Sequence, residues 1–196
     1  MVGGIAGGVL IAGAAIGWFA TRGPEEVSER EFATSVCNLQ KSFHRELERL
    51  ADDDEDLIAD LAADDVSGRR DAESAKRLVT AQAVLMRDYA TGIRELADQN
   101  VVSSRDGGDL RDELLEAYGE ALVELEADVD ELLAVDLDDR SAGSDIADIW
   151  EDVGKPLYDI ELSSSTEDLW MELDSEIRDR NDRCWLSLAP GEMNGE

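Results

Sequence analysis

Nineteen consecutive residues, Val2 to Ala20, carry no charge, and Thr21-Arg22-Gly23-Pro24 ends the run. As a helix this stretch reaches about 28 Å, close to the hydrocarbon thickness of a bilayer. Trp18 and Phe19 sit at its downstream end, where aromatic rings favour the membrane–water boundary, and Arg22 follows them. Residues 1–23 are therefore expected to form a single membrane-spanning anchor. A basic leader is absent, and cutting after Ala20 would put Trp18 at −3, so an uncleaved anchor is expected over a signal peptide.

Small residues recur in the anchor at spacing four: Gly4, Gly8 and Ala12 on one stripe, Gly13 and Gly17 on another. Such stripes let two helix backbones approach closely, which would give weak self-association. A Gly- and Ala-rich segment also produces that spacing by composition alone.

Everything after the anchor is strongly acidic. The chain has 48 acidic and 18 basic residues, a net charge of −30, and Lys only at positions 41, 76 and 155. That balance repels nucleic acid and anionic lipid surfaces, so nucleic acid is excluded as a partner. The remaining partners are the bilayer, through the N-terminal helix, and another membrane or surface protein. Between the acids, Leu, Ile, Val and aromatic residues recur at helical spacing, which argues for folded helices with solvated acidic faces. The acidity and scarce Lys resemble the composition of proteins from salt-in halophiles, a resemblance that names no family.

Three long amphipathic stretches follow the anchor. The first, opened by Pro24-Glu25-Glu26, where Pro fits a first turn and the acids suit its positive end, carries Phe32, Val36, Leu39, Phe43, Leu47 and Leu50 in steps of three and four. Asp54 interrupts the stripe, and Leu57, Ile58 and Leu61 resume it, so one helix or two are both open over residues 27–63. The second spans about Asp71 to Gln99, with Gln82 and Gly92 as minor flaws. Residues 103–108 read as a turn, and Asp109 then caps a third helix reaching about Val135. From Ser144 the elements shorten: a brief helix stopped by Gly154-Lys155-Pro156, an undecided piece, then a last helix opened by Ser165-Thr166-Glu167-Asp168. The expected fold is all-α: the membrane helix, then an up-down antiparallel four-helix-type bundle over residues 24–188 with a broken fourth helix, then a disordered tail from 189 to 196.

No catalytic motif is present, and no enzyme activity or cofactor is expected. The acidic run from Asp52 to Asp56 lacks the Gly and Glu that an EF-hand loop needs at its sixth and twelfth places, where Leu57 and Ala63 stand. A zinc site built on Cys37 and His44, the only histidine, fails because seven residues of helix separate them by about 10 Å. Trp150, Trp170 and Trp185 lie beside aliphatic residues at helical spacing and are expected in the core rather than on a ligand. The expected function is a membrane-anchored helical interaction or scaffold module. The alternatives are a ligand-binding domain with a pocket around Gly154-Lys155-Pro156, to be recognised by Lys155 or Arg140 pointing inward, and a cytoplasm-facing anchored adaptor.

Cys37 and Cys184, one early in the first soluble helix and one late in the last, would meet at the same end of such a bundle. A bridge between them implies an oxidising compartment and hence an extracytoplasmic domain. Arg22 and Arg30 downstream of the anchor argue for the opposite orientation, although two basic residues are a small bias.

The charge alone generates a prediction. Folding gathers about thirty net negative charges onto one small domain, so the folded state suffers more self-repulsion than the unfolded chain. The domain should unfold cooperatively in molar KCl and lose stability steadily as salt is dialysed away. Lowering pH toward the pI of about 4.1 at low salt should partly restore compaction. A thermal midpoint that stays flat between about 0.05 M and 2 M salt, where the Debye length shrinks severalfold, contradicts this.

Overall fold

The computed structural model describes residues 25–178, so the expected anchor, Cys184, Trp185 and the C-terminal tail lie outside the described residues. Most of the described chain is helical, in agreement with an all-α reading, with one addition: a pair of three-residue strands. The order is β1 (Glu25–Val27), α1 (Glu29–Asp53), α2 (Glu55–Ala62), α3 (Arg69–Gln99), β2 (Asn100–Val102), α4 (Arg105–Ala134), α5 (Ala142–Asp152), α6 (Lys155–Tyr158) and α7 (Ser164–Arg178).

The strands explain how the helices start. β1 pairs with β2 in parallel, Glu25 opposite Asn100 and Val27 opposite Val102, and Ser103 N donates to Val27 O at 3.0 Å. Each strand feeds directly into a helix, so α1 and α4 leave this end in the same direction while α3 returns to it. Both helix starts are capped. Ser28 accepts from Glu31 N at 3.3 Å, and Glu31 takes the Ser28 N–H in return at 2.9 Å, a capping box. Ser104 accepts from Gly107 N at 2.9 Å and donates to Glu29 at the start of α1. The first soluble helix thus begins at Glu29, not at Pro24, because Glu25–Val27 find a backbone partner in β2 that no local pattern announces.

The Gly107-Gly108 pair, expected in a turn, lies inside α4, because Ser104 caps the helix five residues earlier than Asp109 would. Gly107 is buried where the two helix starts meet: a Cβ there would run into Val102 Cγ1 and Glu29 Cγ, whereas one at Gly108 would meet nothing. The question over residues 27–63 resolves as two helices. Asp54, which interrupts the apolar stripe, adopts φ −132° and ψ 33°, and the five acids from Asp52 to Asp56 stay exposed around the break.

Phe32, Val36 and Phe43 of α1, Val79, Met86 and Ile93 of α3, and Leu110, Leu114, Tyr118, Leu125 and Leu132 of α4 form one core. Phe43 stacks on Tyr89 with ring centroids 4.7 Å apart, and Tyr89 meets Tyr118 edge-on at 6.0 Å. Burial pushes the Tyr89 hydroxyl up to about 12, so the cluster stays neutral at any ordinary pH. His44 beside it is half-buried, and desolvation holds its imidazole below the ordinary value despite Glu48 nearby.

After α4 the chain climbs back in pieces. Gly143 at the start of α5 sits under the Val66 carbonyl, Trp150 donates to Gln82 Oε1 at 3.1 Å, and α6 packs on α4. Gln82, a flaw in the sequence pattern, is therefore the polar partner that lets Trp150 pack against α3. The start of α7 is held from α4: Glu113 accepts from Ser163 N at 2.9 Å, Ser163 Oγ at 2.6 Å and Thr166 Oγ1 at 2.8 Å. Burial raises the Glu113 carboxyl, but these three donors outweigh it and leave the pKa below the ordinary value. From there α7 lies against both α4 and α1, with Trp170, Leu173 and Ile177 buried.

Neighbouring glycines should respond with opposite signs. Gly107→Ala forces side chains apart in a packed corner and should lower stability by about 1–3 kcal/mol. Gly108→Ala gains helix propensity in open space and should raise it by up to about 1 kcal/mol. Denaturant titrations of both variants in molar KCl check this; equal shifts would show that the corner is not packed as described.

Candidate functional site

Carboxylates are not spread evenly over the helices. α4 has eleven acidic and two basic residues, whereas α3 has five acidic and six basic, and its residues 74–87 contain no acid at all. The outer face of this segment therefore differs from that of α4, which carries eleven acids.

That face is the floor of a groove of about 470 Å³. Ala81, Val84 and Leu85 form the floor, Leu50 of α1 one wall, and Leu133 and Leu137 the other, at the end of α4 and just beyond. Leu133 is 62 % exposed, an unusual state for a leucine in a chain this polar. Charges of both signs rim the opening: Arg49, Lys76 and Arg77 with Glu46, Glu73 and Asp88.

Helix physics places the cations. The last carbonyls of α4 lack helical partners and carry the negative end of its dipole. Lys76 Nζ donates to two carbonyls there, Leu133 O at 3.0 Å and Val135 O at 2.9 Å, which ties α3 to the end of α4 and fixes the wall. Thr80, which lines the groove, satisfies its hydroxyl within α3 by donating to Lys76 O at 2.6 Å. Arg49 bonds Glu46 at 3.0 Å within α1, and Arg77 bonds Ser74 at 3.0 Å within α3. The polar rim is thereby held back along the helices and the apolar floor is left uncovered. Such a surface suits an apolar stripe flanked by charge, and it offers no nucleophile–base pair.

The residues singled out from sequence fall elsewhere. Cys37 is buried in α1, 1 % exposed, and its expected partner Cys184 is outside the described residues, as are Gly4, Gly8, Ala12, Gly13, Gly17, Trp18, Phe19 and Arg22 of the anchor. Trp150 is spent on Gln82, and Trp170 is buried in α7. The cleft beside Pro156, about 370 Å³, is walled by Glu120, Glu124, Asp159 and Glu161; Lys155 turns to Asp152, and Arg140 is exposed in the loop before α5. Among the described residues no group of three or more His, Cys, Asp or Glu is placed to hold a metal, and no helix is long and apolar enough to cross a membrane.

The acidic side has its own weak point. Asp128 of α4 is half-buried, and its Oδ2 is buried without a hydrogen-bond partner among the described residues. Desolvation first, then Glu131, Asp152 and Glu124, raise its carboxyl above the ordinary 3.8. A carboxyl with a raised folded pKa favours the folded state while protonated, and that contribution is lost as pH rises through the folded value. Asp128→Asn should therefore raise stability at pH 7 in low salt by about 0.5–1 kcal/mol, less in molar KCl, and little at pH 4. Thermal melts at the two salt concentrations and two pH values check it; destabilisation at pH 7 would contradict it.

No known protein family, curated protein or solved structure matches this chain.

Proposed function

We propose that the chain is a membrane-anchored helical interaction module, adapted to high salt, whose binding face is the groove on α3. The observation that carries this reading is the uncovered apolar floor of Ala81, Val84 and Leu85 with Leu133 beside it, on the least acidic of the long helices in a chain of charge −30. The alternative of a small-ligand domain loses support, because the cleft at Gly154-Lys155-Pro156 is lined by carboxylates and Lys155 turns away from it. An open groove between helices is the shape that protein partners use.

In this reading residues 1–23 span the bilayer, and α1, α3, α4 and the series α5–α6–α7 form an up-down four-helix-type bundle outside the cytoplasm. A bridge from Cys37 to Cys184 locks the last helix onto the first. It is supported by the burial of Cys37 on α1 and by α7 lying against α1, so that the chain continues toward Cys184 from a helix already beside its partner. Closing a loop of about 150 residues would contribute up to about 5 kcal/mol.

Two measurements test the proposal. Full-length protein should stay with membranes through carbonate and high-salt washing; a mature form starting between Ala20 and Glu26 would show a cleaved leader instead. Thiol labelling of unreduced, denatured protein from its own membrane should find no free cysteine, and Cys184→Ser should lower stability by about 2–5 kcal/mol. Two freely labelled thiols would overturn the bridge and the extracytoplasmic placement.

A further inference from the structure

The proposed function leaves open what fills the groove, and we infer that it is α4 of a second copy of this chain, in a two-fold dimer whose axis runs between α3 and α4, parallel to both. The inference rests on the interaction-module reading and names its partner.

α3 and α4 lie side by side and antiparallel, tied at one end by Lys76 to Leu133 O and Val135 O and at the other by Arg111 Nε to Ala97 O at 2.6 Å. Next to the groove, α4 presents Val123, Glu126, Asp130 and Leu133, spaced three, four and three, which is one stripe of a helix. Its two ends are the most exposed large apolar residues described, Val123 at 68 % and Leu133 at 62 %, with two acids between them. Beside this stripe α3 offers the apolar floor at Ala81 and Val84 with Arg77 on the rim, and Arg87, paired with the rim residue Asp88 at 3.1 Å, one turn beyond the floor. One face of the molecule thus carries an acidic stripe with two apolar knobs next to a groove whose rim holds both signs of charge but whose α3 stretch, residues 74–87, bears cations and no acid.

A two-fold axis along the helices places each stripe over the other copy's groove without shifting it along the axis. The register agrees. Lys76 is level with Leu133 and Ala97 with Arg111, so the segment from Arg77 to Asp88 is level with about residues 121–132 of α4. After rotation the stripe from Val123 to Leu133 falls on that segment, its acids between Arg77 and Arg87. Both grooves fill at once and the assembly closes at two copies. The same axis leaves the β1–β2 ends of both copies on one side, so both N-terminal segments can enter one membrane. At molar salt, with a Debye length of about 3 Å, the net charges of the two copies no longer repel at range, while pairs in contact persist.

Val123 is exposed, so a photoreactive benzoylphenylalanine there should not disturb folding. Full-length chain carrying it is expressed separately in light and heavy isotopic forms, the two are mixed in detergent, reconstituted together into bilayers at molar KCl, irradiated and digested with trypsin. The expected product joins the probe to residues 78–87 of the other copy, seen as mixed heavy–light pairs. Arg77→Glu with Arg87→Glu should cut those pairs at least tenfold with helicity unchanged, and mixing with copies bearing Glu126→Arg and Asp130→Arg should restore them. Cross-links only within one copy, to lipid, or to a different protein overturn the inference, as do mixed pairs that join elsewhere on the chain. Whether the protein partitions into the membrane at all is read separately, so loss of the anchor and loss of the dimer are distinguished.

Discussion

Mutual repulsion among carboxylates governs where every side chain of this protein can go. With 48 acids in 196 residues, each helix must turn nearly all of them outward, and the apolar residues left over at three- and four-residue spacing become the core by default. The core is built mainly of Leu, Ile, Val and Ala, with an aromatic line, Phe43–Tyr89–Tyr118, and with Phe32, Met86 and Trp170 beside it. Asp128 shows the limit: a single carboxylate oxygen that loses solvent without gaining a donor has its proton affinity raised by its acidic neighbours.

Half-buried polar groups act as ties between segments distant in sequence. Ser104 reaches Glu29, Lys76 reaches the end of α4, Gln82 holds Trp150, and Glu113 gathers the start of α7. Each tie lies where a helix ends or where the broken fourth element touches a long helix. These are the places where backbone groups lack helical partners and where burial of apolar surface is thinnest.

The long helices were legible because their signal is local and periodic. The stripe ending at Gln99 and the one expected to reach Val135 end at Gln99 and Ala134. What sequence reading missed is non-local. β1 and β2 pair across about 75 residues, and nothing within Glu25–Val27 announces a strand. Gly107-Gly108 reads as a turn unless the packing of Gly107 under Val102 and Glu29 is known. The capping box Ser28–Glu31 was legible but lay behind the stronger signal of Pro24. The groove escaped because outward-facing residues of an acidic helix read as solvated. Its trace is the absence of acid from 74–87; residues 32–45 of α1 lack acid as well, so that trace alone selects two stretches and only packing selects between them.

An acid-poor, apolar outer face on α3 is costly to leave bare in a chain otherwise coated with carboxylates, and the proposed role of the protein depends on its being covered. Hydroxyl-radical footprinting of full-length protein reconstituted at high density into bilayers at molar salt measures this directly, with Met171 of α7, 56 % exposed and away from the groove, as the internal reference. Leu133 should be labelled far below what its 62 % exposure implies, and should regain labelling when the protein is extracted and diluted in detergent. Labelling of Leu133 in the membrane that already matches its exposure, unchanged on dilution, would show that the groove stands empty and that α3 is not the binding face.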